Sequence, residues 1–449
     1  MARVLHRLVN LRPLRVSAPF RRLWLGTSLS AVAGNMTLVA VLYQVWVMTE
    51  SPIWTGVVGL TRAVPQVVFG LFGGVLADAV DRRNLVRTAM VVQMLTALGL
   101  AGQALADLDS LPLLLLLVAV QAGAGALGAP AMRTFPVRLL ARDLVAAGIA
   151  LQHLSFQFAA LIGPAAAGVI LGQWGLAPPY LVLAMAYLVA LYAVMRLPAM
   201  PPTGGGSGRG VHAVVDGMRF IARRPVLRGL YATDLVATLL AMPIALFPMI
   251  NEERFGGDPE TLGLFLTAIG AGGVLAGLVS GTFTRSDRPG VVQLWAAGVW
   301  GAAIAVFGLV GPLWLALAAL VVAGAADTVS VVSRGAAVQL ATPDSHRGRV
   351  TSVEHVIGVA GPELGNFRGG LVAGFTGAAF ATASGGLAVV AGIAILAAVN
   401  GPLRRFRISH EVPTSQGAAG EVPPSPGEDR PVAPEGSEVQ PSQGEDRAE

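Results

Sequence analysis

The sequence predicts an all-α membrane protein: 12 transmembrane helices, arranged as two parallel six-helix bundles around a central cavity, with cytoplasmic termini. Three observations lead there. Of 449 residues, 54% are hydrophobic and only 13% charged, with a mean hydropathy of +0.66, whereas soluble chains carry about 25% charged residues. Apolar runs long enough to cross a bilayer, about 20 residues each, recur along most of the chain. Arginine falls in alternate loops, as loops retained in the cytoplasm require.

Residues 1–20 read as a cytoplasmic segment. Ala31-Val32-Ala33 imitates a signal-peptidase site, but apolar character resumes from Met36 to Met48, so 21–48 is the first span and not a leader. Spans follow at 54–77, 85–105, 111–132, 145–171 and 179–197, closing a first bundle over 21–197. The second bundle, 228–399, holds spans at 228–250, 260–283, 290–310, 312–334, 347–373 and 376–399. Arginines mark the N-terminus and the 2–3 loop (Arg82, Arg83, Arg87). They recur in the 4–5 loop (Arg133, Arg138, Arg142), the 8–9 loop (Arg285, Arg288) and the 10–11 loop (Arg334, Arg347, Arg349), and after span twelve (Arg404, Arg405, Arg407). The opposite loops hold Glu50, Asp107, Asp109 and the patch Glu252, Glu253, Asp258 and Glu260, with Arg254 their only arginine.

The central loop, 198–227, opens with Pro-Pro-Thr-Gly-Gly-Gly-Ser-Gly and continues as a short amphipathic helix from Val211 to Arg223. The halves echo each other across it. Pro19-Phe20-Arg21-Arg22 matches Pro225-Val226-Leu227-Arg228, Gln152-His153 matches Glu354-His355, and Gly163-Pro164 matches Gly361-Pro362. An offset of about 200 residues indicates two parallel repeats. Residues 400–449, rich in Pro, Gly, Ser and Glu, cannot bury a core and read as a disordered cytoplasmic tail.

Composition also excludes. Cysteine is absent, which removes disulfides, thiolate catalysis and Cys-ligated metals. All 31 basic residues are arginine, so the lysine of an ATP-binding phosphate loop is missing too. The pI of about 10.3 comes from arginines scattered among loops, not from a stripe that would bind nucleic acid. No metal motif or nucleophile–base arrangement stands out, so the chain is read as no enzyme, with no cofactor and no metal.

The densest charge is in Gly73 to Asn84, on the turn after span two. Gly74-x-x-x-Asp78-x-x-x-Arg82-Arg83, with Asp81 between, resembles the 2–3 loop signature of the major facilitator superfamily. Small residues give span two a close-approach face. Asp78 is placed to meet the positive N-terminal end of span eleven, and Arg82 and Arg83 to pair with nearby acids. The resemblance implies a latch that holds the two halves together when the cavity faces outward. Ala79 and Asp81 depart from the usual pattern, and Gly277-Leu-Val-Ser-Gly281 in the second half lacks the acid.

Gly163-Pro164-Ala-Ala-Ala-Gly168 in span five resembles the superfamily's antiporter motif. There proline bends the helix, and the glycines admit a neighbour from the opposite half. The Arg-x-x-Gln-Gly signature of span four is replaced by Val118-Ala119-Val120-Gln121-Ala122, which keeps the glutamine and loses the arginine of a standard proton-coupled drug exporter. Pro19-Phe20-Arg21, Met48-Thr49-Glu50-Ser51, Gly73 to Asp78, His346-Arg347-Gly348-Arg349-Val350 and Leu403 to Arg407 are similar to the bacterial enterobactin (siderophore) exporter family. The likeness covers roughly residues 10–408. It implies a monomeric carrier in the plasma (inner) membrane, working on a small-molecule substrate and protons within the lipid bilayer.

Charge inside a bilayer is costly and points to function. Arg62 lies about 12 Å below the outer surface on span two, and Glu363 about 15 Å below it on span eleven. Those spans flank each other in this fold, so an Arg62–Glu363 pair is expected on the outer side of the cavity. Asp327, Asp234 and Glu354 are further candidates to carry a coupling proton. His153 and His355 read as packed residues. Asn35, Gln44, Gln121, Thr238 and Ser330 are the expected polar lining. The leading function is proton-coupled export of a small amphipathic molecule, a siderophore first. The alternatives are multidrug or macrolide efflux, import of a ferric siderophore or nutrient, and a non-transporting sensor or scaffold.

Overall fold

Helices account for nearly all the regular structure in the computed structural model, which describes residues 10–201 and 210–407. One correction falls at the start of the expected disordered tail, 400–449: Gly401–Arg405 form a short helix capped by Asn400, with Leu403 buried. The tail beyond residue 407, the start of the N-terminal segment and the Gly/Ser run of the central loop lie outside the described residues. Met1–Ile408 clusters as one unit by its contacts.

Twelve long helices follow in order: α1 (Ala18–Thr49), α2 (Pro52–Ala79), α3 (Arg82–Leu105), α4 (Leu111–Arg133), α5 (Arg142–Trp174) and α6 (Ala177–Met195), then α7 (Pro225–Ala241), α8 (Pro259–Leu278), α9 (Pro289–Leu309), α10 (Leu313–Ala341), α11 (Asp344–Thr376) and α12 (Ala378–Val399). Eleven are long and apolar enough to cross a membrane, α7 counting with its continuation to Phe255. The exception is α11, whose 33 residues suffice in length but are not apolar enough, being rich in glycine and polar residues. Apolar side chains such as Trp295, Trp314 and Phe375 point outward, at 74%, 70% and 80% exposure, as a lipid-facing surface requires.

Starts and stops follow local chemistry. Asp81 caps α3, accepting from the N–H groups of Arg83 and Asn84. Pro243 interrupts the expected continuous span 228–250: it has no N–H, and it forces Met242 into extended backbone. The chain continues as a 3₁₀ turn, Ile244–Leu246, and a helix, Phe247–Phe255. Arg254, the odd arginine of its loops, donates to the carbonyls of Gly308 (2.7 Å) and Val310 (3.1 Å) and so closes the C-terminus of α9. A second expectation is corrected. Arg334 belongs to no loop; α10 runs on to Ala341 and buries it at 6% exposure.

Packing repeats when six is added to each helix number. α1 packs on α5 and α6, as α7 does on α11 and α12; α2 packs on α4, as α8 does on α10; α3 packs on α4 and α6, as α9 does on α10 and α12. The halves meet along α2–α11 and α5–α8. Both seams stop short of the arginine-rich end. Along α2–α11, contact runs from Pro52 against Gly370 to Gly70 against His355, but a Cβ added at Gly74 would meet nothing within 4 Å. Along α5–α8 it runs from Gly172 against Glu260 to Gly273 against Gln157, and Gly277 is likewise free. This conformation is closed at the acidic-loop end and open at the other.

Candidate functional site

A cavity of about 500 Å³ lies between the helices, lined chiefly by α1 to α6, with His355 and Val359 of α11 the second half's share. Its polar groups are Asn35 and Thr37 (α1), Arg62 and Gln66 (α2), Gln93 (α3), Gln121 (α4), Tyr187 (α6) and His355 (α11), with Phe156 as its aromatic wall. Gln93 Nε2 donates to Tyr187 Oη at 2.9 Å, fixing both. Gln121 Nε2 is buried without a partner. Among the described residues, Arg62 is the one arginine that lines the cavity and no carboxylate does.

A second space of about 200 Å³ adjoins it, bounded by Leu38, Val58 and Arg62, which both share, and by Glu363, Asn366 and the α7 break. Arg62 Nη1 lies 3.1 Å from Glu363 Oε1, with the side chains 31% and 12% exposed. Gly59 makes room for this crossing, since a Cβ there would fall 2.8 Å from the Glu363 carbonyl. Asn366, one turn on from Glu363, donates from Nδ2 to Glu363 Oε2 (3.2 Å) and accepts the Ala245 N–H on Oδ1 (3.2 Å). Thr55 of α2 donates to the Ala245 carbonyl at 2.8 Å. The ion pair, the α7 break and both halves are thus joined by one run of polar contacts.

This staple gives a prediction. Asn366→Leu strands the Ala245 N–H in a buried place, a loss of about 1–3 kcal/mol. The thermal unfolding midpoint of the purified protein is expected to fall, and an unchanged midpoint contradicts the staple.

The other expected residues divide. Asn35 and Gln121 line the cavity. Gln44 does not: it accepts the Tyr180 hydroxyl at 2.7 Å in a buried position. Thr238 Oγ1 bonds the Asp234 carbonyl beside Gly361, and Ser330 is buried on α10; neither lines it. Asp234 forms a buried ion pair with Arg334, and Asp327 and Glu354 stand near it, outside the cavity. Gln66, Gln93, Tyr187 and Asn366 were not singled out from sequence, although amides within apolar spans were the available signal.

The charge knot is wired within the first half. Asp78 meets Arg82 (3.3 Å), Asp81 also accepts the Met200 N–H (3.0 Å), and Arg83 donates to the Leu197 carbonyl (2.6 Å). The expected reach of Asp78 to the start of α11 is not made in this conformation, whose halves are apart at that end. The linker helix, Gly210–Ala222, packs on α11 and touches α2 there, with Gly217 against the Arg349 carbonyl. In the α5 motif, Gly168 meets Glu260 of α8 in the other half as expected, but Gly163 meets Val32 and Asn35 of α1 in its own.

Comparison with known proteins agrees with this architecture. The chain is 29% identical over 404 residues to the enterobactin exporter EntS of Shigella boydii, covering 89% of this chain and 96% of that one. It is 29% identical over 409 residues to that of Citrobacter koseri, covering 90% and 97%. Among solved structures, the peptide transporter POT matches with a TM-score of 0.71 at 11% identity over 87% of this chain and 96% of its own. The nucleoside transporter NupG matches with a TM-score of 0.67 at 13% identity over 85% and 98%. A model of transmembrane secretion effectors matches residues 9–418. On the strength of that near-complete match, the chain belongs to the transmembrane secretion effector family of the major facilitator superfamily, and it is a membrane transporter, not an enzyme.

Proposed function

We propose that this transporter exports a small amphipathic solute, a siderophore first, by proton-coupled alternating access. The observation that carries the reading is the near full-length likeness to exporters named for enterobactin. The cavity supports it: amides, a phenol and one arginine suit a solute with many hydrogen-bonding groups, and the absence of a lining carboxylate disfavours a cationic drug.

We read α11 as a twelfth span. Two of its intramembrane charges are satisfied inside the protein, with Glu363 on Arg62 and Arg368 donating to the Leu240 carbonyl. An even number of spans puts both termini on the arginine-rich, cytoplasmic side of the inner membrane. We keep 21–197 and 228–399 as the two bundles and 198–227 as the loop that joins them. The knot at Gly74, Asp78, Asp81, Arg82 and Arg83 then closes the cytoplasmic side in the outward-facing state, and we read the present conformation, open at the arginine-rich end, as its inward-facing counterpart.

Metabolite profiling of supernatant and cell extract under iron limitation tests the cargo. Cells lacking the gene are expected to retain a siderophore that the parent releases. An unchanged profile removes the siderophore and turns the search to macrolides and other drugs.

A further inference from the structure

Three helices of the second half bring ionisable groups together away from the cavity. Arg334 of α10 pairs with Asp234 of α7, the side chains being 8% and 12% exposed. Asp327 lies two turns before Arg334 on the same face of α10, close enough to both partners to feel their charges. Its side chain is exposed on the protein's own surface, and it forms no salt bridge among the described residues. Tyr231, one turn before Asp234, is only 3% exposed, and its hydroxyl has no hydrogen-bond partner. It feels the charges of Glu354, Arg334 and Asp234. Arg334 Nε is also buried without a partner. Buried groups left unpaired are rare and ask for an occupant. The other helices on α10 add little charge: α9 has no ionisable residue, and α8 has only Glu260 in its first turn.

Two carboxylates around one guanidinium leave one uncompensated negative charge beside a buried ion pair. One proton cancels it. We propose that Asp327, Asp234 and Arg334 form a proton-binding site, lined by Tyr231 and Glu354 and separate from the cargo cavity. A proton delivered by water makes a carboxyl O–H on one aspartate and leaves Arg334 to the other; its departure restores the shared state. Cargo would then be held mainly by α1 to α6 and the coupling ion by α7, α10 and α11. The proposal rests on the exporter reading only for the direction of coupling, so its test needs no cargo.

The chain has no cysteine, so Ala126→Cys, in the cavity wall, supplies a single label. Inside-out vesicles are treated with an impermeant maleimide between about pH 5 and about pH 9, each rate normalised to that of the denatured protein. The normalised rate is expected to change at least about threefold with pH as the populations shift. Asp327→Asn and Asp234→Asn should each flatten that response, while Asp327→Glu keeps it. Where Asp327→Asn aggregates on size exclusion, Asp327→Ser and Asp234→Asn decide. A parent with no pH response overturns the site, as does a response that survives both aspartate substitutions. A pH response without any exported siderophore fails the exporter reading and leaves the site standing.

Discussion

Reversing either charge of the Arg62–Glu363 pair is expected to abolish transport, and reversing both is expected to restore part of it. The geometry sets the size of the effect. At 3.1 Å, two unit charges in partly desolvated surroundings attract by about 5 kcal/mol before desolvation is subtracted. Arg62→Glu or Glu363→Arg converts that attraction into a repulsion of similar size at the seam that closes the acidic-loop end. The closed state is then lost, and alternation needs both states. Asn366 amplifies the damage, because the carboxylate it steadies also fixes its hold on Ala245.

The double reversal rebuilds the pair but removes a cation from the cargo cavity, so we expect about a tenth of parental transport, not all of it. A second readout separates these two jobs. Leu42, buried beside the pair, replaced by cysteine in this cysteine-free chain, should be labelled from outside in each single variant and protected in the double. Protection without transport assigns Arg62 to the cargo as well as to closure. No protection in a stably folded double variant removes the pair as the closing element.

That pair was legible in the sequence because depth along a helix is arithmetic: 1.5 Å per residue brings Arg62 and Glu363 to similar levels of adjacent spans. The twofold repeat was legible for a related reason, since Gly163-Pro164 and Gly361-Pro362 occupy matching places on helices that pack alike. The polar lining was harder. Gln44 and Gln121 look the same in a hydropathy profile, yet one binds Tyr180 in the bundle interior while the other faces the cavity. The difference is a rotation about the helix axis, which neighbours fix and composition does not record. Arg334 failed for another reason. A charge near the end of an apolar run reads as the start of a loop, but α10 continues two more turns because Asp234 waits across from it. A partner about 100 residues away in the chain leaves no local trace.

Arg334→Leu is expected to be the most destabilising single substitution in the second half. It leaves Asp234 buried, charged and unpaired beside Asp327, and breaking a buried ion pair in this way costs about 3–5 kcal/mol. Fluorescence-detected size exclusion after heating should show a large drop in midpoint. Replacing both partners, Arg334→Leu with Asp234→Leu, removes the stranded charge along with the pair, and such apolar replacements are neutral or stabilising in many proteins. The double variant is therefore expected to recover the parental midpoint while losing transport. That outcome would mean that the pair earns its place by function, since packing alone serves stability as well. Recovery of both stability and transport would make the pair a structural feature and take Asp234 and Arg334 out of the proton site. Failure to recover the midpoint would show that Tyr231 and Ser330 around the pair need its polarity to fold.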